Sequence, residues 1–166
     1  MNSHPSARNS HPKAATRRVS SGFTMIEMIT VVAIIGILFV IAQPAFTTLI
    51  ANQRARGAAT ELMTAMMKTR SEAVKRNQNV TLAASGANWE GGWQIRDLNN
   101  AVLDSHEAIS GITFTGGPAT VVYQSSGRIQ GNAAPTFLIT SVVVPTAQRC
   151  VSADLSGRPN LKAAAC

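Results

Sequence analysis

The stretch MIEMITVVAIIGILFVIAQPAF, Met25–Phe46, governs how the rest of the chain is read. It is the most apolar run in the sequence. A helix of this length spans about 33 Å, enough to cross the hydrocarbon core of a bilayer. Upstream, residues 1–22 carry Arg8, Lys13, Arg17 and Arg18, no acid and no apolar period, so this leader is not expected to fold alone. Basic residues before an apolar run keep that side cytoplasmic and send the downstream chain outward. Two other readings compete. A secretory signal peptide would end at a small-residue cleavage site, whereas this run continues through Gln43-Pro44 into more helical sequence. The other is a helix buried in a soluble core.

Charge patterning supports the division. The chain has 166 residues, with 15 Lys+Arg against 8 Asp+Glu, a formal charge of +7. Four of those positive charges sit in the leader, and residues 47–166 hold 11 basic and 7 acidic side chains. With 45% hydrophobic and 14% charged residues, the composition excludes a disordered polyelectrolyte and suits one domain with one core.

One carboxylate interrupts the apolar run. An ionised acid near the bilayer centre costs roughly 2.5–3.5 kcal/mol on insertion scales, and less near the end of a span. Glu27 is thus either a carboxylate reaching to the interface or a functional charge awaiting a cation. Around it, Ser21-Gly22-Phe23-Thr24-Met25-Ile26-Glu27 resembles the processing site of type IV prepilins and pseudopilins. The resemblance implies cleavage between Gly22 and Phe23 by prepilin peptidase, N-methylation of Phe23, and a role for Glu27 in filament assembly. It also matches Pro44 to the helix-kinking proline of that class. Cleavage would create an α-amine on Phe23, and an unpaired buried charge is costly, so pairing that amine with Glu27 would favour docking. The pair is either between subunits or within one.

After Pro44 the helical period continues. Ala55, Ala59, Leu62, Met63, Met66, Ala73 and Val74 form one apolar stripe, with Glu72 and Arg76 paired at i, i+4 on a polar face. Downstream the period shortens. Val80–Ala84, Trp93–Leu98, Gly111–Thr115, Ala119–Gln124, Thr136–Val144 and Arg149–Ala153 read as antiparallel strands separated by Gly, Asn, Ser or Pro. The expected fold is α+β, a long N-terminal helix packed on an antiparallel β-meander. Its expected divisions are a cleaved basic leader at 1–22, a transmembrane helix at 23–46 and a pilin-like globular domain at 47–166.

The globular part resembles the GspH/FimT family of minor pilins and pseudopilins. The resemblance rests on Thr69–Asn77 followed by Val80-Thr81-Leu82, Trp89 with Gly91–Asp97, Ile112-Thr113-Phe114, Ser126-Gly127-Arg128, and Arg149-Cys150-Val151 with Ser156-Gly157-Arg158 and Cys166. It implies a FimT-like minor pilin of a type IV pilus that takes part in assembly and in DNA uptake during natural transformation. The alternative is a GspH-like minor pseudopilin of a type II secretion system. Implied partners are other major and minor pilins, prepilin peptidase, the inner membrane and double-stranded DNA. The implied location is a single-pass inner-membrane protein with a periplasmic C-terminal domain, passing into a pilus or pseudopilus.

Cys150 and Cys166 are the only cysteines, and an exported location makes a disulfide between them the expectation. His106 is the one histidine after the leader, so no metal site, cofactor or nucleophile–base constellation is expected, and the chain is not read as an enzyme. Trp89 and Trp93 are expected to pack rather than to stack a ligand. From Ala108 onward four basic residues face one acid, Asp154. Arg149, Arg158 and Lys162 are therefore candidate contacts to DNA phosphates, with solvated surface charge as the other reading. The resemblance extends to a Gly-Arg-x-Arg motif of DNA-binding FimT proteins, but here Asn160 stands where its second Arg would be.

Overall fold

Three- and four-residue apolar spacing needs a long helix to become a single face, and the helix is long. The computed structural model describes residues 22–166; the basic leader, apart from Gly22, lies outside the described residues. Helix α1 runs Met25–Arg76 and passes through Pro44. Proline has no N–H to donate, so the ladder loses one bond there. The hydroxyls of Thr47 and Thr48 donate to the Gln43 and Pro44 carbonyls at 3.1 and 3.0 Å. At the far end Asn77 takes a left-handed φ of 52° while Gln78 N–H reaches back to the Ala73 carbonyl, the six-to-one bond of a Schellman stop.

The chain divides into one unit ending at Phe39 and a second, Val40–Cys166. Within the first, the apolar side chains are exposed. The 18-residue window of highest mean hydropathy, 2.7, has none of its residues buried, which is not how the core helix of a soluble protein behaves.

Within the second unit, α1 buries Ala51, Ala55, Ala58, Ala59, Leu62, Ala65, Met66, Thr69 and Ala73. The stripe is mostly alanine, which lets the backbone lie close to the strands. Two expected members differ. Met63 is half-buried, and Val74 is 53% exposed because it stands beside the stripe rather than in it. Thr69 takes a core position, its hydroxyl satisfied by the Ala65 carbonyl at 2.7 Å.

Eight strands come after the helix: β1 Val80–Ala84, β2 Trp93–Arg96, β3 Val102–His106, β4 Ile112–Thr115, β5 Thr120–Tyr123, β6 Thr136–Ser141, β7 Gln148–Ala153 and β8 Pro159–Lys162. The expected α+β architecture holds, but the strands form two antiparallel sheets, ordered β3-β2-β1-β5 and β4-β6-β7-β8. β4 leaves the first sheet to pair with β6, and β5 returns to the vacant side of β1. A 3₁₀ turn at Trp89–Gly91 bridges the gap, the Glu90 carboxylate accepting from Phe114 N–H on β4 at 2.8 Å. Leu82, Ile95, Val121, Tyr123, Phe137, Ile139 and Val151 join the helix stripe in one core.

Candidate functional site

At the start of α1, Thr24 and Glu27 form a reciprocal capping box. Thr24 Oγ1 accepts from Glu27 N–H at 3.3 Å, while Glu27 Oε2 accepts from Thr24 N–H and from the Thr24 hydroxyl at 3.4 Å. Such a box satisfies N–H groups that a helix start leaves unpaired. These contacts are long and use one carboxylate oxygen; among the described residues Oε1 has no partner. Gly22 and Phe23 precede the helix in exposed, non-helical backbone. The apolar helix beyond them suggests a membrane anchor.

At the other end of the chain, the pleat sorts the expected basic residues. In the second sheet Phe137, Ile139 and Val151 face the core, and cross-strand partners share a face. Arg149 pairs with Ile139 and therefore lies on the core side, half-buried, donating to the Gln148 carbonyl. Asn160 pairs with Ser152 and Lys162 with Cys150, on the outer side. Arg158, just before β8, and Asn160 and Lys162 within it are all exposed and succeed one another at a two-residue spacing. The expected trio is thus split: Lys162 lies on the outer face of the edge strand with Arg158 exposed in the turn just before it, while Arg149 lies on the core side of the sheet. Cys150 and Cys166 are joined in a disulfide, with Cα atoms 5.1 Å apart, tying the C-terminus back to β7.

The turn carrying Arg158 is held by Asp154. Its Oδ1 accepts from the Ser156 hydroxyl at 2.6 Å and from Arg158 N–H at 3.0 Å, and these two bonds hold its carboxyl below the usual carboxylate range. Beside it lies a groove of about 550 Å³ lined by Ser152, Asp154, Arg158, Pro159 and Asn160.

A basic residue outside the expected set stands next to this turn. Arg128 is exposed and ends a second Ser-Gly-Arg turn, whose Gly127 carbonyl packs against Gly157 so closely that a Cβ on Gly157 would collide with it. The recurrence of the tripeptide at 126–128 and 156–158 is the signal that could have found it. Both tryptophans are structural. Trp89 is 5% exposed and donates to the Pro118 carbonyl at 3.1 Å, and Trp93 is buried, stacked on His106 with ring centroids 4.2 Å apart. The ring of His106 also reaches Glu61 at 3.3 Å. No cluster of three or more metal-ligating side chains occurs among the described residues.

Comparison with known proteins assigns this architecture. Residues 58–157 match the family described as Type II transport protein GspH. The chain belongs to the GspH family of pilin-like proteins. Residues 17–42 match the prokaryotic N-terminal methylation motif, which takes in Gly22, Phe23 and Glu27. This GspH-family chain is 37% identical over 115 residues to Fimbrial protein Q of Moraxella bovis, a match taking in 69% of this chain and 62% of that protein's length. Among solved structures it resembles the type IV minor pilin FimU of Pseudomonas aeruginosa, with a TM-score of 0.60 at 23% identity, covering 66% of this chain and 89% of that one. It also resembles the minor pseudopilin EpsH of the Vibrio cholerae type 2 secretion system, with a TM-score of 0.52 at 16% identity, covering 66% and 97%. The two structural likenesses share the fold alone.

Proposed function

We propose that this chain is a FimT-like minor pilin of a type IV pilus, made as a precursor and cut between Gly22 and Phe23. In this reading residues 1–22 are the leader, 23–46 the membrane and filament-core helix, and 47–166 the periplasmic domain. Prepilin peptidase removes the leader on the cytoplasmic face and Phe23 is N-methylated. The new amine is then neutralised by Glu27, whose second carboxylate oxygen the capping box does not use. The observation that carries the choice of machine is the 37% identity to a fimbrial protein. The exposed cations Arg158, in the turn before the C-terminal edge strand, and Lys162, on that strand, support contact with double-stranded DNA during uptake.

The family description favours a second reading, a GspH-like minor pseudopilin of a type II secretion system. Deleting the chromosomal copy and scoring twitching, transformation and exoprotein secretion side by side separates them. The pilus reading expects losses in the first two with secretion intact. A secretion defect alone assigns the chain to the other machine.

A further inference from the structure

Two hairpin turns of this fold are built alike. In Gln124–Arg128, Gly127 N–H donates to the Gln124 carbonyl at 2.8 Å and Gln124 N–H donates to the Arg128 carbonyl at 2.8 Å. In Asp154–Arg158, Gly157 N–H donates to the Asp154 carbonyl at 2.9 Å and Asp154 N–H to the Arg158 carbonyl at 3.2 Å. Both glycines are left-handed, with φ of 74° and 82°, the geometry of a tight turn closed by a glycine bulge. The turns lie against each other. Gly127's carbonyl meets Gly157, and Ile129 N–H donates to the Leu155 carbonyl at 3.3 Å. Backbone geometry then keeps the Cα atoms of Arg128 and Arg158 within about 11 Å of each other.

Both arginines are exposed, and neither guanidinium makes an ion pair or a hydrogen bond among the described residues. Arg70 on α1 backs them, its Nε donating to the Gly127 carbonyl at 3.0 Å. The neighbouring carboxylate, Asp154, is engaged with Ser156 and with the Arg158 N–H. Two guanidinium groups are thus presented by paired rigid turns, with little freedom to lose on binding.

We infer that the twin Ser-Gly-Arg turns form one phosphate-gripping surface, in which Arg128 contacts the backbone of duplex DNA beside Arg158. This rests on the DNA-binding reading proposed for the edge strand and adds a residue to it. Duplex rather than single-stranded DNA fits because every aromatic side chain between residues 47 and 166 is buried or half-buried, leaving no exposed platform for base stacking. Contacts of this kind bind without sequence preference and release counterions, so their number is read from the salt dependence.

The test is fluorescence anisotropy of the full chain in detergent micelles with a labelled duplex of mixed sequence, over a salt series. Arg128→Gln and Arg158→Gln are each expected to weaken binding about tenfold and to lower the slope of log K against log salt by about 1, and the double variant by about 2. Arg128→Lys retains the slope, Arg128→Glu weakens binding further, and Arg56→Gln, the same charge loss on an exposed face of α1, leaves binding unchanged. Thermal unfolding of each variant checks the fold. If Arg128→Gln and Arg128→Glu bind like the parent while Arg158→Gln is impaired, the twin-turn inference is overturned and the DNA reading stands. If the parent does not bind duplex, both are overturned. Equal or tighter binding of the matching single strand overturns the choice of duplex.

Discussion

Glu27 and Tyr123 place polar atoms where the surroundings are apolar, and the consequences differ. Glu27 comes after a basic leader, in a helix start that its own carboxylate helps to cap. Glu27→Ala is expected to insert in the membrane normally, with its level in membrane fractions unchanged, while its recovery in sheared filaments falls at least about tenfold, as for a lost buried ion pair. Filament levels equal to the parent would remove the assembly role. Tyr123 is fully buried, and its hydroxyl has no hydrogen-bond partner. Burial pushes its phenol from 10.0 up to about 12. The protonated form is the one the fold accommodates, so its contribution to stability is complete below pH 10 and is lost as pH rises through about 12. Tyr123→Phe should remove that alkaline loss and change neutral-pH stability by no more than about 1 kcal/mol, in either direction. Chemical denaturation at neutral and alkaline pH reads both. The orphaned hydroxyl has no sequence signature, because Tyr123 reads as any core aromatic of a strand.

The helix was legible because its period was long and its stripe wide, and the buried set tests that reading. Leu62 is fully buried whereas Val74 is 53% exposed, so Leu62→Ala should cost about 2–5 kcal/mol in thermal or urea unfolding and Val74→Ala less than about 0.5 kcal/mol. The strands were less evenly legible. Each of the six expected runs overlaps a strand, with ends differing by up to three residues, since Thr136–Val144 stops at Ser141 and Arg149–Ala153 begins at Gln148. But β3 and β8 do not show themselves in the sequence. β3 reads Val-Leu-Asp-Ser-His on a sheet edge, where solvent removes the need for apolar alternation. β8 begins with Pro159, tolerated as the first residue of an edge strand but read from sequence as a breaker. The hidden β8 is also why sequence alone groups Arg149 with Arg158 and Lys162: without that strand there is no pleat to separate them. The disulfide closes this same edge across a sequence separation of 16. Reduction, or Cys150→Ser with Cys166→Ser, is expected to cost about 3 kcal/mol. The core does not depend on the bridge, so far-ultraviolet circular dichroism at neutral pH should be retained.

For the whole chain, the proposed reading assigns the charge imbalance to topology before binding. Residues 1–22 hold four of the positive charges, and within 47–166 the helix segment 47–76 is net +4, residues 77–107 net −3 and residues 108–166 net +3. Fold class and family were legible because the Gly22-Phe23-Glu27 spacing, the apolar run and the ordered strand motifs are local signals. The binding surface was only partly legible, because adjacency of Arg128 and Arg158 is created by two turns thirty positions apart coming into contact. The two-sheet topology was hidden for the same reason, since local period does not say which sheet β4 or β5 joins. Mass spectrometry of this chain recovered from sheared pili of the native strain tests the minor-pilin assignment at its root. A mature form beginning at N-methylated Phe23 within the pilus fraction is the expected result. A chain still beginning at Met1, or one absent from pili and found only with the secretion apparatus, would contradict it.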